Sequence, residues 1–393
     1  MANGEHWVID ASLISGGYAF HLCEAMAVQE GPPVRLIARP LRRGEPQPPA
    51  GVIYDPVFYR FGEWLTGLGT GRVTNLGAKA MKGLEHNLGL WRLVAKARRD
   101  RPAGINISQM VLPNFDIWAV RELQKVCPVA VTVHNSVPLH GVLSPMTRNE
   151  HFYAVYRLAD AIFTHSAHTR SAILGWGVPA ERIVMISHPP LDLVVEQQVP
   201  DEASDGRFRV LLWGAIKPYK GADVLVEATA LAKAKVPTIQ ARVVGKAFYD
   251  TRALEARATQ PDVADHVELS LAFKTDAGID EELRLASAVV FPYSEIDVSG
   301  ALPTSMGYDK PIILSRVGGF AEFDIPPEAA ETALMEPGDV QGLADRLVRL
   351  ATDAAARAAN VAAFRRMRDS AATWADVART VRQTLARLAQ QRP

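Results

Sequence analysis

Eight residues, GAIKPYKG from Gly214 to Gly221, set two lysines and a proline between two glycines. An apolar strand pattern, VLLW, precedes them, and a helix pattern, ADVLVEA, follows. The start of a helix is the positive end of its dipole and disfavours cations. Lys217 and Lys220 in that turn therefore call for an anion, and an ammonium is a point charge suited to phosphate oxygens. Gly214 ends the strand tightly, and Gly221 allows close approach at the helix start. The glycine spacing, and the lack of a following Ser or Thr, exclude a Walker A loop. The competing reading is a solvated basic turn.

A second stretch, Pro292 to Phe323, reads PYSEIDVSGALPTSMGYDKPIILSRVGGFAEF. Two carboxylates, Glu295 and Asp297, follow a strand, and then come the small residues Ser299 and Gly300. A helix begins near Ala301, with Pro303 tolerated in its first turn. Free backbone N–H groups at such a start bind anions. A nearby carboxylate accepts hydrogen bonds from sugar or ribose hydroxyls, or else merely complements the helix dipole. Gly16 and Gly17 follow the first strand, in LISGGYAFH. They read as a tight β–α turn or as backbone approaching a diphosphate or acceptor. His134, in VTVHNSVP, ends another strand. It is a ligand-binding candidate weighed against an ordinary structural histidine. His165 and His188 also end strands, and neither has a partner at metal-ligand spacing.

The elements that position these residues alternate. Short apolar runs read as strands in HWVID, VRLIAR, GINISQ, VAVTVHN, AIFTHS and RIVMIS. A second set is RVLLWG, TIQARVVG, VELSLA, AVVFPYS, PIILSRV and TALMEP. Continuous β-branched runs with helices between them imply parallel sheets buried on both faces. Two sets imply two doubly wound α/β domains, with ligands at the carboxyl ends of the strands, in a cleft between them. We place an N-terminal Rossmann-like domain at 1–193, a polar acidic linker at 194–207 and a second Rossmann-like domain at 208–372. A last helix occupies 373–393.

The chain has 393 residues, 43 basic and 43 acidic, with 48% apolar and 22% charged content. That composition is globular and long enough for two cores. Zero net charge gives no pointer to partners. Two cysteines, Cys23 and Cys127, build neither a disulfide framework nor a zinc site, which fits a reducing cytoplasm. The N-terminal stretch lacks the pattern of a signal peptide, and no apolar run reaches the roughly 20 residues of a membrane span. The segment 77–102 carries Lys79, Lys82, Arg92, Lys96, Arg98, Arg99 and Arg101 beside Leu84, Leu88, Leu90, Trp91 and Leu93. It reads as a peripheral contact with an anionic membrane face or as a solvated basic helix. It lacks the aromatic-plus-basic platform of a nucleic-acid binder.

These stretches resemble the nucleotide-sugar glycosyltransferases of the GT-B fold, in the group 1 or family 4 class. The resemblance spans nearly the whole chain and is strongest from Arg207 to Phe323. LLWGAIKPYKG is similar to the opening of that family's C-terminal domain. Glu295 or Asp297, Gly300, DKPII and GGFAE follow its later pattern. There are two departures. Ala215 stands where many members carry arginine, and Thr304 stands where many carry a second, ribose-binding glutamate. Which of Glu295 and Asp297 matches the first glutamate stays open by a one-residue shift.

The resemblance implies a nucleotide-diphosphate sugar as donor, UDP or GDP, bound by the C-terminal domain without cofactor or metal. It implies transfer with retention to a glycan or lipid-linked acceptor, in the assembly of bacterial surface polysaccharide at the cytoplasmic membrane face. Lys217 and Lys220 would take phosphate charge, and Glu295 or Asp297 would hold sugar hydroxyls. His134 would stand near the reacting carbon. Gly214, Gly221, Ser299, Gly300, Ala301, Leu302, Thr304, Gly16 and Gly17 would line the donor. The last helix is expected to cross back to the N-terminal domain. The rival readings are a nucleotide-sugar epimerase and a non-catalytic GT-B partner subunit.

Overall fold

The structure is a computed structural model and describes residues 4–13, 16–42, 45–60, 72–109, 113–136, 150–191, 193 and 205–392. The expected linker lies outside the described residues as far as residue 204. The described chain forms two compact units, one built from residues up to Ser187 together with Ala372 onward, the other chiefly from His188–Ala371.

The first unit holds a seven-stranded parallel sheet in the order β3-β2-β1-β4-β5-β6-β7. Its strands are β1 (His6–Asp10), β2 (Val34–Ala38), β3 (Val52–Pro56), β4 (Gly104–Gln109), β5 (Val129–Val133), β6 (Ala161–Thr164) and β7 (Ile183–Met185). Six of the seven match the apolar runs read from the sequence. β3 was missed because it is a half-exposed edge strand ending in Pro56. Edge strands lack the continuous apolar run that burial on both faces demands.

One face of this sheet presents Ile9, Ile105, Ile107 and Val131. They pack against α2 (Arg72–Asp100) and α3 (Pro113–Gln124), with Leu93 and Leu123 among the buried contacts. The two helices are tied by His86, whose Nε2 lies 2.6 Å from Asp116 Oδ1 while its Nδ1 lies 2.7 Å from the Tyr59 hydroxyl. The opposite face, with Val8, Leu36, Ala130 and Phe163, packs against α1 (Gly16–Ala27) and α13 (Trp374–Gln390).

α13 starts with a capping box between Thr373 and Asp376. It turns Val377, Ala378, Val381 and Leu385 inward at helical spacing. Arg382 is buried beside that stripe and donates to Met26 O (2.6 Å), Pro32 O (3.0 Å) and His6 Nδ1 (3.1 Å).

The second unit holds a six-stranded parallel sheet in the order β10-β9-β8-β11-β12-β13. The strands are β8 (Phe208–Trp213), β9 (Ile239–Val244), β10 (Val267–Ser270), β11 (Ala288–Phe291), β12 (Ile312–Ser315) and β13 (Leu334–Met335). All six match the sequence reading. Alternate residues, such as Leu211 and Leu212, enter opposite cores. Each core is closed by helices, α6 (Ala222–Ala232) on one face and α12 (Ala354–Ser370) on the other. Two doubly wound parallel sheets are therefore present, as the apolar runs implied.

The clamp on α13 sets an acid sensitivity. Burial first, and the Arg382 charge second, push His6 down from the usual 6.5 to about 4. Between those values the unfolded chain binds the extra proton, so stability rises with pH across the window and is lost as pH falls through it. His6→Gln should flatten the slope of urea-denaturation stability between pH 4.5 and 6.5 relative to the parent. Arg382→Met should cost about 2 kcal/mol at pH 7 by stranding the Met26 and Pro32 carbonyls.

Candidate functional site

In the second unit the lysine turn is built from the strand end upward. Gly214 has φ +105°, and a Cβ there would lie 3.2 Å from Lys220 Nζ. Position 214 therefore needs glycine for its conformation, and a side chain would crowd the ammonium. Ile216 is fully buried and bridges to Ala247, with Ile216 N donating to Lys246 O at 2.9 Å. That anchor leaves Ala215 exposed and Lys217 half-buried. Pro218–Lys220 then form one turn of 3-10 helix, and α6 follows from Gly221, φ +68°. A Cβ on Gly221 would sit 2.1 Å from Pro292 O, so only glycine lets this turn meet the end of β11.

Lys220 is 6% exposed. Its Nζ donates to Trp213 O at 3.3 Å and stands 4.9 Å from the centre of the buried Tyr293 ring. Burial first, and the Lys217 charge second, push it down to about 7. Burial alone lowers Lys217. Among the described residues no carboxylate contributes to either shift, so the charge beside each lysine is that of a neighbouring cation or none. The Tyr219 phenol is raised to about 12 by burial and then by Glu295, which places that carboxylate beside the same turn. Ser294 N donates to Tyr219 O at 2.8 Å and fixes the two loops together.

Glu295 is exposed, whereas Asp297 is 2% exposed. The separation arises at Ile296, whose carbonyl accepts from Gly319 N at 3.1 Å and draws the chain inward. Ser299 and Gly300 are half-buried and lead into the six-residue helix α9 (Ala301–Met306). Ala301 is half-buried, and Leu302 is part of the core. The Thr304 hydroxyl accepts from Leu191 N (3.2 Å) and lies 3.1 Å from the carbonyls of Leu191 and Gly300. It is occupied with the main chain. A Cβ on Gly300 would lie 3.4 Å from the His188 ring, a neighbour that the sequence reading did not connect to this turn.

In the first unit, Gly16 and Gly17 open α1. Tyr18, the next residue, lies edge-on to His134 at 4.6 Å and to His165 at 5.4 Å between ring centres. The glycine pair and His134 are thus brought to the same end of this sheet. His165 was noted only as a strand-ending histidine, yet its Nε2 lies 3.2 Å from His134 Nδ1. The available signal was register: Val133 pairs with Thr164, so the residues that follow are neighbours. Among the described residues no group of three or more His, Cys, Asp and Glu has metal-holding geometry.

Residues 16–189 match the family described as Glycosyltransferase Family 4, and residues 207–353 match Glycosyl transferases group 1. Anabaena HepE, crystallised with UDP and glucose, has a similar fold at 15% identity. The alignment covers 98% of this chain and 100% of that one, with TM-score 0.70. Sucrose-phosphate synthase from Thermosynechococcus elongatus matches at 18% identity, covering 98% and 99%, with TM-score 0.73. WaaG, a glycosyltransferase involved in lipopolysaccharide biosynthesis, matches at 14% identity, covering 97% and 99%, with TM-score 0.64. A GDP-mannose:glycolipid 4-beta-D-mannosyltransferase of Xanthomonas campestris pv. campestris is 28% identical over 106 residues. That match spans 27% of this chain and 29% of the relative.

The lysine turn makes anion binding proton-linked. With Lys220 near 7, the free chain has mostly neutral Lys220 at pH 8, and a bound polyphosphate favours the charged form. Calorimetry of pyrophosphate binding at pH 8, in buffers of different ionisation heat, should show proton uptake that Lys220→Met abolishes. Equal heats in all buffers would refute the linkage. The folded value lies below the unfolded 10.5, so the cost of burying the ammonium is greatest below pH 7. Lys220→Met should therefore melt no lower than the parent at pH 6.

Proposed function

Because this chain belongs to the group 1 and family 4 glycosyltransferases, we propose that it moves a sugar from a nucleotide-diphosphate sugar to a glycan or lipid-linked acceptor. Transfer proceeds with retention at the anomeric carbon and serves bacterial surface-polysaccharide assembly at the cytoplasmic membrane face. The observation that carries this reading is the pair Lys217 and Lys220 in one glycine-bounded turn, where among the described residues no carboxylate offsets the cost of their burial.

The chemistry needs negative charge to be stabilised as it grows on the departing diphosphate. Lys217, and Lys220 once the phosphate favours its charged form, supply positive charge there. Part of Lys220's charge is recovered only when the phosphate arrives, so the desolvated ammonium favours an occupied turn. Ser299, Gly300 and the backbone of Ala301 and Leu302 complete the donor side. The exposed Glu295, beside the turn, takes the sugar or ribose hydroxyls. Gly16 and Gly17, on the first unit, line the donor, and His134 stands near the reacting carbon. The nucleoside diphosphates named with the similar proteins are UDP and GDP. Thermal-shift screening against UDP, GDP and ADP identifies the one used here, since ligand at 100 times its Kd stabilises by about 2.7 kcal/mol.

The membrane reading draws support from α2. Leu84, Leu88 and Trp91 are 58%, 46% and 64% exposed along it. Arg60, Arg92, Lys96 and Arg99 line an adjoining groove. Lys96 and Arg99 are paired with Asp100, and Arg98 with Glu122. The side chains of Lys79 and Lys82 lie outside the described residues. No described helix is long and apolar enough to cross a membrane.

A second reading, a non-catalytic partner subunit, is favoured by the occupied Thr304 hydroxyl and by Ala215. Nucleotide binding without transfer by the isolated chain would select it, and isomerised donor in the absence of acceptor would select an epimerase.

With the donor identified, Lys217→Ala and Lys220→Ala should each lower kcat/KM about 100-fold, and proton NMR of the product should show the donor's anomeric configuration. Inverted product would reject retention. Leu88→Glu with Trp91→Glu should abolish flotation with anionic vesicles and leave transfer to a water-soluble acceptor unchanged. Undiminished flotation would remove α2 from the membrane.

A further inference from the structure

The histidine pair of the first unit can be read by counting hydrogens. His134 Nε2 lies 3.1 Å from Ser108 O. His165 Nδ1 lies 3.3 Å from Ile186 O and 3.2 Å from Ser187 O. Carbonyl oxygens only accept, so both of these nitrogens carry hydrogen. The remaining two nitrogens, His134 Nδ1 and His165 Nε2, face each other at 3.2 Å. That contact also needs one hydrogen. Three hydrogens on two rings is one more than two neutral imidazoles hold. With both rings neutral, one of the three contacts would set lone pair against lone pair.

We propose that His134 and His165 form a single proton-sharing imidazole–imidazolium unit, with His165 as the positioning residue that keeps His134 a donor at both ring nitrogens. The two rings lie 5.0 Å apart between centres. Each follows the last residue of a neighbouring parallel strand, at the end of the sheet where α1 begins with Gly16 and Gly17. Among the described residues the titratable groups at this end are Asp10 at the end of β1, Tyr18 and His21 on α1, and His168 in the first turn of α5 (Ala167–Gly175). Burial raises the Tyr18 phenol, which keeps it neutral. Trp374 on α13 packs against Tyr18 and stacks on His21.

The role of this unit rests on the transfer reaction proposed above. A His134 that donates at both nitrogens offers positive charge and has no lone pair to serve as a base. As the sugar carbon–diphosphate bond breaks and the carbon–acceptor oxygen bond forms, the acceptor hydroxyl proton therefore goes to an oxygen of the departing diphosphate. The electron pair of the broken bond stays on that same diphosphate. Loss of the shared proton removes the charge, so transfer weakens as pH rises.

The existence of the unit is tested without any substrate. Long-range proton–nitrogen NMR of the nitrogen-15 histidine-labelled full chain should show three protonated ring nitrogens across His134 and His165 at pH 7. Both rings should titrate in one coupled step. In His165→Phe, His134 should revert to a neutral tautomer at pH 7. Its kcat should fall about tenfold with donor KM unchanged, and the alkaline limb of the pH profile should move. His165→Asn, whose amide oxygen can accept from His134 Nδ1, should fold if His165→Phe does not, and should recover part of kcat. Two neutral rings at pH 7 in the parent would overturn the unit. A shared proton with unchanged kcat and pH profile in both variants would overturn its role in transfer. If the parent transfers no sugar at all, the proposed function fails, while the NMR result still decides the unit.

Discussion

A buried ammonium is the constraint on which the second unit's binding turn depends. Taking a charge out of water is costly unless something returns the lost hydration. Around Lys220, among the described residues, the protein returns the Trp213 carbonyl and the face of Tyr293. The rest of the turn follows from housing that group. Position 214 stays free of a side chain, Gly221 closes against Pro292 O, and Ile216 pins the loop to Ala247. The turn is thus organised around a charge that the protein leaves incompletely balanced, which is a reason for an anion to bind there and not at the many paired cations of the surface.

Much of this was legible in the sequence, and the boundary of legibility has a physical basis. Parallel strands buried on both faces must be apolar throughout, and they stood out as runs, as did the less buried edge strands β7 and β10. β3, half-exposed at an edge, has no such obligation. Charge between glycines marked the lysine turn, because glycine reports a backbone need and lysine a chemical one. The difference between Glu295 and Asp297 was hidden. Two residues apart, they are separated only by the Gly319 contact that pulls Ile296 into the core, and Gly319 lies far along the chain. The engagement of Thr304 with Leu191, across 113 positions, is equally invisible to local reading.

The two units solve their polar problems differently. In the second, isolated cations face an incoming anion. In the first, polar side chains on and after neighbouring strands bond to one another, as where Thr132 Oγ1 donates to Asn106 Oδ1 at 3.1 Å and where the two histidines are linked. Networks of this kind hold side chains in fixed orientation and strengthen one another in low dielectric. The sequence reading treated each histidine alone, His134 as a ligand-binding candidate and His165 and His188 as strand-ending residues, and so did not see the linked pair.

The position of α13 carries a consequence for how the protein is made. Val377, Ala378, Val381 and Leu385 belong to the core under α1, yet the ribosome reaches them only after all of the second unit. Domains generally fold as units during synthesis. Here the unit that starts first cannot finish first. Its sheet waits with the face formed by Val8, Leu36 and Phe163 incompletely covered while the second unit, contiguous in its main segment, is already complete. The nascent chain therefore carries an exposed apolar surface through most of its elongation, and that surface is what a chaperone would meet.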